Sequence, residues 1–289
     1  MVKDMTAARD RLRDDMQAGF TDRGVQRASA ARIYNYLIGG DFNFAVDREA
    51  AAEVLAALPL TQSIALANRA WIGRAVRHLA RLGIRQFLDV GSGALPGVGN
   101  VHEVAQEIAP DARVVYVDND AAAVMYSQEK LADTPAAAAV IGDVLRPDDL
   151  LGELRTPELR ALIRLDQPTA VILAAVLHFV PDDEQASRAV RRLCDPLVLG
   201  SALVLSHAAS EGLDAAGVAA GSKVYERKTT TPGGPRTREQ ILRFFDVGTQ
   251  LEDPGLVWVP EWRPAPSDPQ DLVEEPMRSG LLAGVGVKR

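Results

Sequence analysis

Three aspartates stand where short apolar runs stop. Asp89 lies in Phe87-Leu-Asp-Val-Gly-Ser-Gly93, Asp118 closes Arg113-Val-Val-Tyr-Val-Asp118, and Asp143 follows Ala138–Ile141 and Gly142. Asp118 is 29 residues beyond Asp89, and Asp143 is 25 beyond Asp118. A carboxylate ending the second strand of an open parallel sheet can accept both hydroxyls of a ribose, and one ending the third can reach the exocyclic amine of an adenine. Gly91 and Gly93, on either side of Ser92, let the backbone pass close to a ligand. Each feature alone also fits a tight turn or a helix cap. Together they point to a nucleoside.

Further candidates lie on both sides of this group. Before it come Tyr36, Asn43 and Arg69; Arg69 can bind a carboxylate as a charge-assisted pair, or form a structural ion pair with Asp47. After the glycines, Asn100 and His102 flank a helix start, and Asn100 is also a natural N-cap. His178, after the run Thr169–Ala175, is placed to take a proton from a hydroxyl or amine nucleophile. The other reading of His178 is a partly buried ring shaping the strand end. His207 is a second such candidate. Cys194 reads as a small buried hydrophobe, and no His, Cys and Asp set has metal-ligand spacing.

The elements that must position these residues follow from hydrophobic periodicity. Helices are expected at 1–20, Ala30–Ile38, Arg48–Leu58 and Asn68–Leu82. From Gln86 onward, strands (Gln86–Val90, Arg113–Val117, Ala138–Ile141, Thr169–Ala175, Val198–His207) alternate with helices (Val101–Ala109, Ala121–Leu131, Leu159–Arg164, Asp183–Leu193, the last capped by Asp182). That alternation implies βαβ units and a parallel sheet. Thr237-Arg-Glu-Gln240 has the form of a capping box. Leu256–Val259 and Leu281–Val287 read as late strands forming an antiparallel edge hairpin. Thr229–Pro235 has the composition of an exposed loop, and the chain from about Ser210 to Pro235 is expected to form the far wall of an acceptor site.

The loop after Gly93 is unsuited to a pyrophosphate. The dinucleotide fingerprint needs Gly or Ala in its sixth position, which here is Pro96. S-adenosylmethionine has no pyrophosphate, and its sulfonium suits acidic strand ends. Asp89–Gly93, Asn100-Val-His-Glu103, Val115–Asp120, Gly142-Asp143 and Val176-Leu-His-Phe179 resemble the class I S-adenosylmethionine-dependent methyltransferases. More narrowly, Ala31–Gly40, Asn43-Phe44, Asp47-Arg48, Ala67-Asn-Arg69, Pro254–Val257 and Trp262–Pro264 resemble a bacterial S-adenosyl methyltransferase family, formerly a domain of unknown function. The resemblance covers residues 28–287.

It implies a Rossmann-like α/β fold: a mostly parallel seven-stranded sheet with helices on both faces, an antiparallel C-terminal edge hairpin and an N-terminal helical cap. Residues 1–29 would be a helix and linker, 30–83 the cap and 84–289 the cofactor-binding core, the cap and core forming one compact unit. The cofactor set it implies comprises Tyr36, Asn43, Arg69, Asp89, Gly91, Ser92, Gly93, Asn100, Asp118, Asn119, Asp143 and Val144, with His178 on the acceptor side. The expected function is methyl transfer to a small-molecule acceptor. The alternative is a module that binds S-adenosylmethionine or S-adenosylhomocysteine without turnover.

Composition narrows the partners. The 289 residues carry a net charge of −7, which argues against a nucleic-acid binder and its basic footprint. The longest apolar run, Ala170–Leu177, is eight residues, far short of the ~20 that span a bilayer. The charged N-terminus lacks the apolar stretch of a secretory signal. One cysteine permits no internal disulfide. A cytoplasmic protein without a membrane partner is expected.

Overall fold

The computed structural model describes residues 27–229 and 231–289. The helix expected at 1–20 lies outside them. Three helices come first: α1 (Ala30–Leu37), α2 (Ala45–Ala57) and α3 (Thr61–Arg81). The third begins seven residues earlier than Asn68, the start its apolar stripe suggested. There follow β1 (Gln86–Val90), α4 (Val101–Gln106), β2 (Arg113–Asp118), α5 (Ala121–Lys130), β3 (Ala137–Ile141), α6 (Pro147–Glu153), α7 (Pro157–Arg160) and β4 (Thr169–Ala174). Then come α8 (Asp183–Cys194), β5 (Ala202–Ala208), α9 (Ala215–Lys228), α10 (Arg238–Leu242), β6 (Thr249–Leu251), β7 (Val257–Trp258) and β8 (Leu281–Lys288).

Among the described residues the sheet has eight strands, one more than expected. Its order is β3-β2-β1-β4-β5-β8-β6, with β7 also pairing to β8. β1 to β5 are parallel, and β8 runs antiparallel to β5, β6 and β7. The added strand is β6, three residues of mixed polarity too short for periodicity to reveal.

Alternate strand residues feed two cores. Phe87, Val114, Tyr116, Ile172 and Val204 face α3 and α4 in one cluster; Leu88, Val115, Val117, Leu173 and Leu205 face α6 and α8 in the other. Burial of both faces explains why these strands read as unbroken apolar runs. The expected caps are present. Asp182 accepts from Gln185 N at 2.7 Å, and Thr237 and Gln240 bond each other's backbone N–H at 3.2 and 2.9 Å.

α9 falls within the stretch from about Ser210 to Pro235 expected to wall an acceptor site, where no helix was expected. Its Gly217 and Gly221 lie against Leu58, which a Cβ would meet at 2.9 and 3.2 Å. Two glycines and a weak apolar stripe hide this helix from periodicity, yet those glycines let it pack on α2 and its C-terminal neighbour. Among the described residues no single helix is long and apolar enough to cross a membrane.

A buried ion network seats α1. Arg32 Nε bonds Asp47 at 2.9 Å and its Nη1 bonds Asp120 at 2.5 Å. Asp47 therefore pairs with Arg32, so the structural pair considered for Arg69 does not form. Asp120 caps α5 through Ala122 N and Ala123 N. Asn35 adds a bond to Ala94 O at 3.3 Å, so α1 rests on the glycine loop as well as on the β2–α5 turn.

Candidate active site

The sheet order reverses between β1 and β4, where open α/β sheets bind ligands beyond their carboxyl ends. Gly91 (φ +78°) and Gly93 (φ +66°) turn the chain there in left-handed conformations. Gly91 N and Ser92 N both donate to Val117 O, at 2.7 and 3.0 Å, so the loop is tied to β2. Asp118 accepts from Gly93 N at 2.7 Å on one oxygen and from Asp120 N at 2.9 Å on the other. An ionised carboxylate has about four acceptor sites, so capacity remains for a ligand hydroxyl beside these backbone donors.

Burial pushes the Asp118 carboxyl up to about 6, against the pull of its backbone donors. Burial likewise lifts Asp89 to about 7, opposed by the Arg69 guanidinium and reinforced by Asp118. Groups raised in the folded state stabilise it fully below their unfolded values and lose that contribution as pH rises through the folded ones. The ligand-free protein is therefore expected to lose roughly 2–4 kcal/mol between pH 5 and 8 from this pair. A ligand hydroxyl donating to Asp118 would favour its ionised form, so the cofactor should then bind up to about fivefold more weakly at pH 5 than at pH 6. Calorimetry across pH, in buffers of different ionisation enthalpy, reads the proton released. A pH-independent affinity in wild type and Asp118→Asn alike would remove the linkage.

Arg69 reaches from α3 onto the loop, donating to Gly99 O at 2.7 Å and Asn100 Oδ1 at 3.3 Å. Its Nε is buried without a partner, an orphan donor that a ligand carboxylate would satisfy. Asn100 holds the loop shut by donating to Pro96 O at 3.2 Å, while Glu103 accepts from its backbone N–H at 2.8 Å. His102 packs inward, its Nδ1 2.8 Å from the Tyr116 hydroxyl, so its ring does not line the site. Asn43 bonds Gly40 O at 2.9 Å within its own loop. Tyr36 and Asn119 are exposed, Asp143 is half-buried at the β3 end with Leu145 N donating to it at 2.8 Å, and Val144 is buried.

On the other side of β1, His178 occupies a short 3-10 turn, Leu177–Phe179. Its Nδ1 is buried without a partner, and burial, with the nearby His207 and Arg236, lowers its pKa to about 3. His207 is fully engaged. Its Nδ1 lies 2.7 Å from Ala208 O, and its Nε2 is 2.8 Å from Arg236 Nη1.

Sequence reasoning passed over several residues that build this side. Arg236 bonds Asp183, Leu177 O and Val180 O, clamping the turn that carries His178. Asn68 links the Tyr34 hydroxyl (3.1 Å) to Ser206 Oγ (2.7 Å), which accepts from Ala175 N at 3.0 Å. Ala175 itself adopts φ +56°, a strained value that these bonds hold in place. No local signal marks Arg236 or Ser206, whereas Tyr34 and Asn68 lie inside the segments that carry the family resemblance. A cavity of about 470 Å³ lies elsewhere, between α3 and the proline-rich segment 260–273. No cluster of metal-ligating residues occurs among the described residues.

A doubly wound sheet with an antiparallel strand beside β5 is the fold of the class I methyltransferases, and here a buried carboxylate closes its β2. The S-adenosyl methyltransferase family profile matches residues 20–289, and the chain belongs to that family. It is similar to a DUF574 family protein from Streptomyces avermitilis, with 37% identity over 91% of this chain and 98% of that one, TM-score 0.81. It is also similar to a candidate methyltransferase from Thermobifida fusca, with 36% identity over 91% and 96% of the two chains, TM-score 0.81. Among curated proteins nothing matches. The cofactor is S-adenosylmethionine.

Proposed function

We propose that this methyltransferase acts on a small-molecule acceptor seated beside the end of β4. In this reading Asp118 holds the ribose, Asp143 and Val144 the adenine, and Arg69 the methionine carboxylate, while residues 30–83 close over the methionine end. When bound, S-adenosylmethionine supplies an electrophilic methyl group on a sulfonium that already leaves well. What remains for the protein is alignment and exclusion of water. His178 protonates poorly at neutral pH, which suits a hydrogen-bond partner for the acceptor better than a general base. The net charge of −7 favours a small acceptor over a nucleic acid.

The observation that carries this reading is Asp118, a buried carboxylate at the end of β2 whose two oxygens accept from Gly93 N and Asp120 N and face the turn that β1 makes at Gly91 and Gly93. Calorimetry should show binding of S-adenosylmethionine and S-adenosylhomocysteine but not of NAD. Asp118→Ala should weaken it by about 1.5–3 kcal/mol, the range for a hydrogen bond to a charged group, with the fold intact by circular dichroism. NAD binding without S-adenosylmethionine binding would overturn it.

A further inference from the structure

Beyond Leu173, β4 runs into half-buried Ala174, Ala175, Val176, His178 and Phe179, none of them carrying a charge. The Phe179 ring lies 4.3 Å from His178 and 5.3 Å from Tyr225 of α9. Tyr225, like Tyr34, packs against the small cluster around Ile33 and Leu37, and burial raises its hydroxyl to about 12 with no hydrogen bond to offset it. One aromatic wall thus joins the β4 end to α1 and α9.

The charged pair behind His178, Arg236 and Asp183, is already satisfied. Arg236 is paired with Asp183, two carbonyls and His207, and Asp183 also accepts from Gln240 at 2.8 Å. A carboxylate or ammonium brought here would lose water and gain no counter-charge from Arg236 or Asp183. A flat ring would gain offset or edge contacts.

Resting on the methyltransferase reading, we propose that the acceptor is an uncharged aromatic molecule bearing a hydroxyl or amine, its ring seated on Phe179 and Tyr225. The nucleophile's lone pair forms the bond to the methyl carbon as the sulfur–carbon bond breaks. That bond's electron pair stays on sulfur, leaving S-adenosylhomocysteine, and the nucleophile's proton passes to solvent.

Three probes of matched size test this: 4-phenylphenol, its saturated analogue 4-cyclohexylcyclohexanol and its charged analogue 4-phenylbenzoate. Binding to the full chain saturated with S-adenosylhomocysteine is read by saturation-transfer NMR, and methyl transfer from S-adenosylmethionine by mass spectrometry. The phenol should bind at least about tenfold tighter than either analogue and gain one methyl group. Phe179→Leu and Tyr225→Leu should each weaken it about fivefold or more, Tyr225→Phe should not, and S-adenosylhomocysteine affinity should stay constant in all three. Equal or tighter binding of the benzoate or the saturated alcohol overturns the proposal, as does binding of none of the three. So does unchanged phenol binding in both leucine variants. Failure of S-adenosylhomocysteine to bind wild type overturns the methyltransferase reading itself, and is seen before any probe is added.

Discussion

Arg32→Met is expected to destabilise the protein by about 3–5 kcal/mol, the cost of removing one partner from a buried ion pair. Arg32 is 6% exposed and Asp47 fully buried. Without the guanidinium, Asp47 keeps only the Ser29 and Phe44 backbone donors, and Asp120 keeps its helix-capping bonds alone. Chemical denaturation measures the loss. Adding Asp47→Asn removes the stranded charge, so the double variant should lose less than the two single losses combined. Because Asp120 N also donates to Asp118, cofactor affinity should fall in the same variant although Arg32 is not placed on the cofactor. A loss under about 1 kcal/mol would make the network a solvated surface pair.

Gly91→Ala should be nearly as damaging, for two separable reasons. The backbone sits at φ +78°, costing an L-residue about 1–2 kcal/mol. The new Cβ would lie 2.3 Å from Val176 Cγ2, and such overpacking costs about 1–3 kcal/mol. The loop must then shift, and with it Gly93 N and the donor it gives Asp118. S-adenosylmethionine binding is expected to weaken at least about tenfold. Adding Val176→Ala removes the clash but not the backbone strain, so it should recover part of the stability and no more. Full recovery would assign the whole effect to packing. No loss in the single variant would mean that the loop is free to rearrange.

The strand ends and their carboxylates were legible because they are written locally. An apolar run, a glycine turn and an aspartate are neighbours in sequence, and a parallel strand buried on both faces needs nothing distant to be recognised. The same holds for the caps at Asp182 and Thr237, whose partners lie three residues away. Resemblance added the cofactor, which spacing alone left as a nucleoside without a pyrophosphate. α9 was hidden because its small residues have no apolar stripe of their own and acquire meaning only against α2.

The side chains that brace the site form bonds over long separations. Arg32 and Asp120 are 88 residues apart, Asn68 and Ser206 are 138 apart, and Arg236 and His207 are 29 apart. Arginine, asparagine and serine carry no local signal of burial, since in most settings they face water. Chain reversal in the sheet brings their partners together, and the cost of an unpaired buried charge or amide then holds them in register. Residue types and short spacings therefore determined where a nucleoside cofactor could sit. Only the tertiary structure decided which charges are consumed in building that seat and which groups, Arg69 Nε and His178 Nδ1 among them, remain unpaired beside it.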